Sequence, residues 1–156
     1  MDFSLYEKII FKQTLSSLII GLVVLILAVF SLIYIFKNMR DEKLYFCLLC
    51  ILCIIAIVGT IVLGGHTIYA AVYDVKNQAY VSYQGNFIFD DDIDSRNGVC
   101  SLYIPDKSGL LLETEAYLLE AGKYTGEVVY GEKTKVTLRI TIEERVFYPF
   151  LDNTGD

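Results

Sequence analysis

Two uncharged runs constrain everything else in this chain of 156 residues. Leu15 to Phe36 reads LSSLIIGLVVLILAVFSLIYIF, and Leu44 to Leu63 reads LYFCLLCILCIIAIVGTIVL; neither contains Lys, Arg, Asp or Glu. An apolar run of about 18 residues or more is long enough to cross the hydrocarbon core of a bilayer as a helix. In hydrocarbon each backbone polar group must be paired within its own segment, which selects helix over other forms. The first run is too long for the apolar part of a signal peptide, and no small-x-small cleavage site follows it, so it is predicted to be retained. The polar link KNMRDEK (37–43) is short enough to join only neighbouring antiparallel helices. The expected plan is therefore an N-terminal tail (1–14), a first membrane helix (15–36), the loop (37–43) and a second membrane helix (44–64). A soluble β-domain (66–146) and a C-terminal tail (147–156) complete it.

Within the second run, Cys47, Cys50 and Cys53 have the C-x2-C-x2-C spacing of a metal site. On a helix these positions step round the cylinder by about 60° each, so the thiols follow a spiral and do not converge. One ion in lipid would also face three thiolates with no His or carboxylate beside it. They are predicted to be small packing residues, with no metal and no cofactor.

The helix faces carry a second pattern. Ser17, Gly21, Ala28 and Ser31 fall within one arc of the first helix, and Cys53, Ala56, Thr60 and Gly64 within one arc of the second. Small residues let helix backbones approach closely in lipid. The faces are expected to pack against each other, the alternative being a second membrane protein or another copy. In the tail, Phe3, Tyr6, Ile10 and Gln13 lie along one line, which fits either a short interfacial helix or a frayed end.

Charge divides with the hydropathy. Residues 1–65 carry five Lys/Arg against four Asp/Glu, and residues 66–156 carry eight against fifteen, a net of −7. An acidic domain repels nucleic acid and anionic lipid. From His66 onward the pattern reads with period two, clearest in KVTLRITI (135–142), where Val136, Leu138, Ile140 and Ile142 alternate with polar residues. Thr67–Val75, Ala79–Phe89, Val99–Ile104, Leu110–Leu118 and YTGEVVY (124–130) are the other candidate strands, separated by turn residues. The fold class is a membrane α-helical hairpin followed by a small all-β domain, an antiparallel barrel or sandwich of about six strands.

Site chemistry is sparse. Asp90, Asp92 and Asp94 in FDDDIDSRNG open like a calcium loop, but Ser95 and Ser101 stand where an EF-hand needs Gly and Glu. An acidic turn is the expectation there, with a weak calcium site as the alternative. The single His66 follows two glycines at the membrane edge, no G-x-S-x-G stretch occurs, and Glu113, Glu115, Glu120 and Glu127 alternate with apolar residues as on a wet sheet face. No enzyme is expected. Nine tyrosines follow residue 66, and Tyr is enriched where proteins bind proteins. In AYVSYQG, Tyr80 and Tyr83 sit on opposite faces, so one is expected to point outward; with Asp90, Asp91, Asp92 and Asp94 they form the candidate partner surface.

These readings converge on a membrane-anchored, non-enzymatic domain that binds a protein partner, a cationic one by charge. One such role is immunity, in which the domain neutralises a toxin. The alternative is an accessory subunit of a membrane complex held through its helices. Loop 37–43 has the highest Lys/Arg density, which predicts a cytoplasmic loop and an extracytoplasmic domain.

Overall fold

The computed structural model describes residues 3–38, 43–90, 99–116 and 118–151. Two long helices, α1 (Phe3–Asn38) and α2 (Lys43–Asn77), precede six strands. The strands are β1 (Tyr80–Phe89), β2 (Val99–Ile104), β3 (Leu110–Glu115), β4 (Gly122–Gly131), β5 (Thr137–Ile142) and β6 (Arg145–Phe147). They form one antiparallel sheet in the order β3-β2-β1-β4-β5-β6, curled into a half-barrel. The chain divides into two compact units, Thr14–Tyr69 and the combination of Met1–Gln13 with Ala70–Asp156.

In the first unit both helices are long and apolar enough to cross a membrane. A helix in a soluble core would hide its apolar side chains, whereas Ile19, Leu27, Phe30, Ile55 and Leu63 lie on the surface here. The less exposed residues of α1 are Leu18, Gly21, Leu25, Ala28, Leu32 and Ile35, and those of α2 include Cys50, Cys53, Ile57, Thr60, Gly64 and Thr67. Their alternating three- and four-residue spacing is the seam of two helices crossing at a shallow angle. A methyl group added to Gly21 would lie 3.5 Å from Thr60 Cγ2, and one on Gly64 would lie 3.8 Å from Leu18 Cδ2. That antiparallel register, continued, sets Ala28 level with Cys53. Ser17, Ser31 and Ala56 lie off the seam and are exposed.

The second unit is built round the sheet. β1 pairs with β4 along its whole length, and Gly85 sits opposite Gly126. Tyr83 lies back over Gly85, where a side chain would collide with its hydroxyl, and the Thr141 carbonyl crowds Gly126. Facing glycines let the sheet bend sharply, and the curl brings β3 round until the Glu113 N–H donates to the Lys135 carbonyl at 3.0 Å. Inside the curl, Tyr83, Phe87, Leu102, Ile104, Leu112, Val128, Tyr130 and Ile140 form one core. On the outer face, Tyr6, Ile9 and Ile10 of α1 and Ala71 of α2 pack with Val129, Val136, Leu138 and Phe150.

Three expectations change here. Thr67–Val75 is helix, not strand: α2 runs on to Asn77, because Ala70, Ala71 and Asp74 are buried at helical spacing. Gln78 then takes a left-handed conformation (φ 49°), with the Ala79 N–H bonded to the Asp74 carbonyl at 2.9 Å, which ends the helix. The count of six strands is completed instead by β6. Second, the apolar line Phe3, Tyr6, Ile10 and Gln13 faces protein: Tyr6 and Ile10 are buried, and Gln13 Nε2 donates to Glu113 Oε2 at 3.1 Å. Third, a bulge between Val129 and Tyr130 shifts the β4–β5 register. Val136 and Leu138 therefore serve the outer cluster while Ile140 and Ile142 serve the inner one.

A consequence is testable. A fragment beginning at residue 70 lacks Tyr6, Ile9 and Ile10 and exposes Val129 and Leu138. It is expected to bind an apolar dye strongly, and a peptide of residues 1–14 added in trans should reduce that binding. Equal dye binding with and without the peptide would contradict the packing described.

Candidate functional site

The curl closes the inner face of the sheet, helix residues cover part of the outer face, and part of β1 has an open side among the described residues. Of the tyrosines expected on a partner surface, neither points outward. Tyr80 is half-buried against α1, its ring stacked on Phe3 (5.8 Å) and edge-on to Tyr6 (5.3 Å). Its hydroxyl is buried without a hydrogen-bond partner among the described residues. Burial pushes the Tyr80 phenol above its ordinary value, and the carboxylates of Glu7 and Asp74 add to the rise. Tyr83 is buried in the inner core. Alternation assigned them correctly to opposite faces, but helix packing covers one face and the curl covers the other. Asp90 is exposed, while Asp91, Asp92 and Asp94 lie outside the described residues. Among the described residues, no group of His, Cys, Asp or Glu is placed to hold a metal ion.

At one end of the sheet the β2–β3 turn folds onto the inner core. Tyr83 donates to Asp106 Oδ2 at 2.7 Å. Lys107 Nζ donates to the Tyr130 hydroxyl at 3.1 Å and lies 5.6 Å from the Tyr83 ring centre, a cation–π arrangement. The bond to Asp106 raises the Tyr83 phenol above its ordinary value of 10.0, because ionisation loses the bond and sets two anions together. The raised folded value means the contribution to stability is complete below pH 10 and falls as pH rises through the folded value. Asp106→Asn is expected to lower the Tyr83 ionisation midpoint, read from phenolate absorbance. An unchanged midpoint would remove Asp106 as the cause.

The outer face carries polar side chains tied across strands. Ser82 Oγ donates to Glu127 Oε1 at 2.7 Å, Arg139 Nη2 to Glu127 Oε2 at 2.6 Å, and Thr125 Oγ1 to Asn86 Oδ1 at 2.7 Å. In the sequence Glu127 is one of several acids alternating with apolar residues; the register that sets Val129 beside both Ser82 and Arg139 brings its partners together.

Although β1 lies inside the sheet, much of its length has an open side. Its partner β2 pairs only with Ile88 and Phe89, so among the described residues Tyr80–Phe87 has a strand neighbour on the β4 side alone. Pro105 follows β2 where the next rungs would form and cannot donate. Along this edge Ser82, Gln84 and Asn86 are exposed and uncharged.

In the helical unit, Ser17, Gly21, Thr60, Gly64, Gly65 and Thr67 help line an open groove of about 680 Å³. The Thr60 and Thr67 hydroxyls are satisfied by the Ala56 and Leu63 carbonyls at 2.8 and 3.0 Å. The small-residue faces thus meet in part, at Gly21 and Gly64, and flank a groove in part.

No family model, curated protein or solved structure matches this chain.

Proposed function

We propose that the chain is a membrane-anchored, non-enzymatic module that binds a protein partner at the membrane surface through the β1 edge. The observation that carries this reading is an eight-residue stretch of strand with no strand on one side among the described residues and uncharged exposed side chains. Edge strands are ready templates for another chain, and proteins that do not use them usually blunt them. The net charge of −7 on residues 66–156 favours a cationic partner, and neutralisation of a cationic toxin is one role that fits. The soluble part lies on the extracytoplasmic side, following the Lys/Arg density of loop 37–43.

A photo-crosslinking residue at Gln84, in the full chain in its own membrane, should give a discrete adduct that excess unmodified chain competes away. The same residue at exposed Glu144 should give none. An adduct only from Ile20, beside the helical groove, would overturn this reading in favour of an accessory subunit held through its helices. That second reading is supported by the glycines lining the groove.

Sidedness is read separately. Cys100 is buried with its thiol 3.5 Å from the Glu115 carbonyl, so it is a poor reporter. Glu144→Cys, with Cys47, Cys50 and Cys53 replaced by Ala, should react with an impermeant maleimide in intact cells. Reaction only after the membrane is opened would place the domain inside.

A further inference from the structure

We propose that the partner enters as an extended segment bearing Lys or Arg, which adds to β1 as a further strand and is held by the peptide groups of Ser82 and Gln84. This rests on the binding function proposed above and names how its partner is recognised.

The direction of those peptide groups follows from two hydrogen bonds. The Glu132 N–H donates to the Ala79 carbonyl at 2.8 Å, and the Asp90 N–H to the Ser101 carbonyl at 3.1 Å. In an antiparallel ladder, peptide groups alternate between the two neighbours. Ala79 therefore begins the series that bonds β4, and the even-numbered residues 80–90 face the other way. At Ile88 and Asp90 that side meets β2. At Ser82 and Gln84 it meets no strand among the described residues. The outward groups at the two ends are already engaged: the Tyr80 N–H donates to the Gln78 carbonyl at 2.8 Å, and the Asn86 carbonyl lies 3.2 Å from the Tyr83 hydroxyl. Ser82 and Gln84 thus offer two donors and two acceptors, one short rung set.

This edge also lacks the usual protections. Its exposed side chains carry no charge, it contains no proline, and its register with β4 runs without a bulge. The other edges are blunted: β6 has three residues, and β3 already donates from Glu113 to Lys135. Strand addition to such an edge takes affinity from main-chain bonds and selectivity from flanking side chains.

The flanking charge selects the occupant. Glu7 acts on Tyr80 at one end, Asp90 is exposed at the other, and Asp106 lies against Tyr83. Of the cations, Arg139 is paired with Glu127 and Lys107 lies over the rings of Tyr83 and Tyr130, while exposed Lys123 stands opposite Ile88 at the β2 end. A second copy would bring another unit of net −7 to the same edge, so a basic segment is favoured over self-pairing.

The test uses the full chain in nanodiscs of zwitterionic lipid, to which a cationic peptide has little attraction. The probes are capped heptapeptides of alternating lysine and valine, and of alternating glutamate and valine. The lysine peptide should slow amide hydrogen exchange at Ser82 and Gln84 by about ten-fold or more, and the glutamate peptide should not. Gln84→Pro removes an outward N–H but no β4 bond, so it should abolish the protection while leaving the melting temperature nearly unchanged. Ser82→Pro repeats the test should Gln84→Pro distort the strand. No slowing, equal slowing by both peptides, or slowing that appears without peptide as protein concentration rises would each overturn the proposal. A partner adduct from a crosslinker at Asn86 that survives Gln84→Pro would sink strand addition while leaving partner binding intact. Absence of any adduct along β1 would sink the binding function itself.

Discussion

Asp74→Ala is expected to unfold the sheet unit under conditions in which the parent is stable. Asp74 is fully buried near the end of α2, and its carboxylate is the acceptor for the β4–β5 turn. Lys133 N donates to Oδ1 at 2.9 Å, Thr134 N to Oδ2 at 2.8 Å and Thr134 Oγ1 to Oδ2 at 2.7 Å. Alanine leaves three donors without their acceptor. Hydrogen bonds to a charged group contribute about 1.5–3 kcal/mol each, and an unsatisfied buried donor costs about 1–3, so a loss of about 4 kcal/mol is a conservative total. For a unit of this size that lowers the melting temperature by about 15 °C or more, measured by circular dichroism of the full chain. Asp74→Asn keeps one acceptor oxygen but turns an amide N–H₂ toward the turn, and should recover only part of the loss. If both variants melted with the parent, the turn would be held by something other than this carboxylate.

Gly126→Ala should be comparably severe for a different reason. A Cβ at this position falls within the van der Waals shell of the Thr141 carbonyl oxygen and 3.4 Å from the Ile142 Cα. Those are backbone atoms of a paired strand, so no side-chain rotation relieves the clash. Overpacking of this kind costs about 3 kcal/mol or more, because the β4–β5 ladder must shift. Gly59→Ala is the matched control, since a Cβ there meets nothing within 4 Å. A near-parental melting temperature for Gly126→Ala would mean that the sheet does not depend on the close approach of Gly126 to the Thr141 carbonyl.

The helical hairpin and the existence of a small antiparallel β unit were legible in the sequence, because charge-free runs and period-two patterns report directly on burial. What misled the reading was burial on two sides at once. Thr67–Val75 is rich in β-branched and aromatic residues, which favours strand locally. Yet Ala70, Ala71 and Asp74 recur at helical spacing, and contacts with the sheet unit decide the outcome. In 135–142 the alternation was real but crossed a bulge, so one apolar series serves two different clusters. The tyrosines were placed on opposite faces correctly and outward wrongly, since no local pattern shows that α1 returns to cover Tyr80. The β1 edge had one faint sequence signal, Pro105 after β2. Its significance depends on register, which the residues alone do not reveal.

The outer cluster joins Tyr6, Ile9 and Ile10 to Phe150, residues about 140 positions apart in the chain. Synthesis runs at about 5–20 residues per second, so some 140 residues separate the making of these partners by several seconds or more. The outer cluster therefore cannot be complete until Phe150 has been made, long after Tyr6, Ile9 and Ile10. A stop codon placed just before Phe147 would do more than trim an end. It would take Tyr148 and Phe150 from the surface that Tyr6, Ile9 and Ile10 meet, leaving Val129, Val136 and Leu138 to hold them.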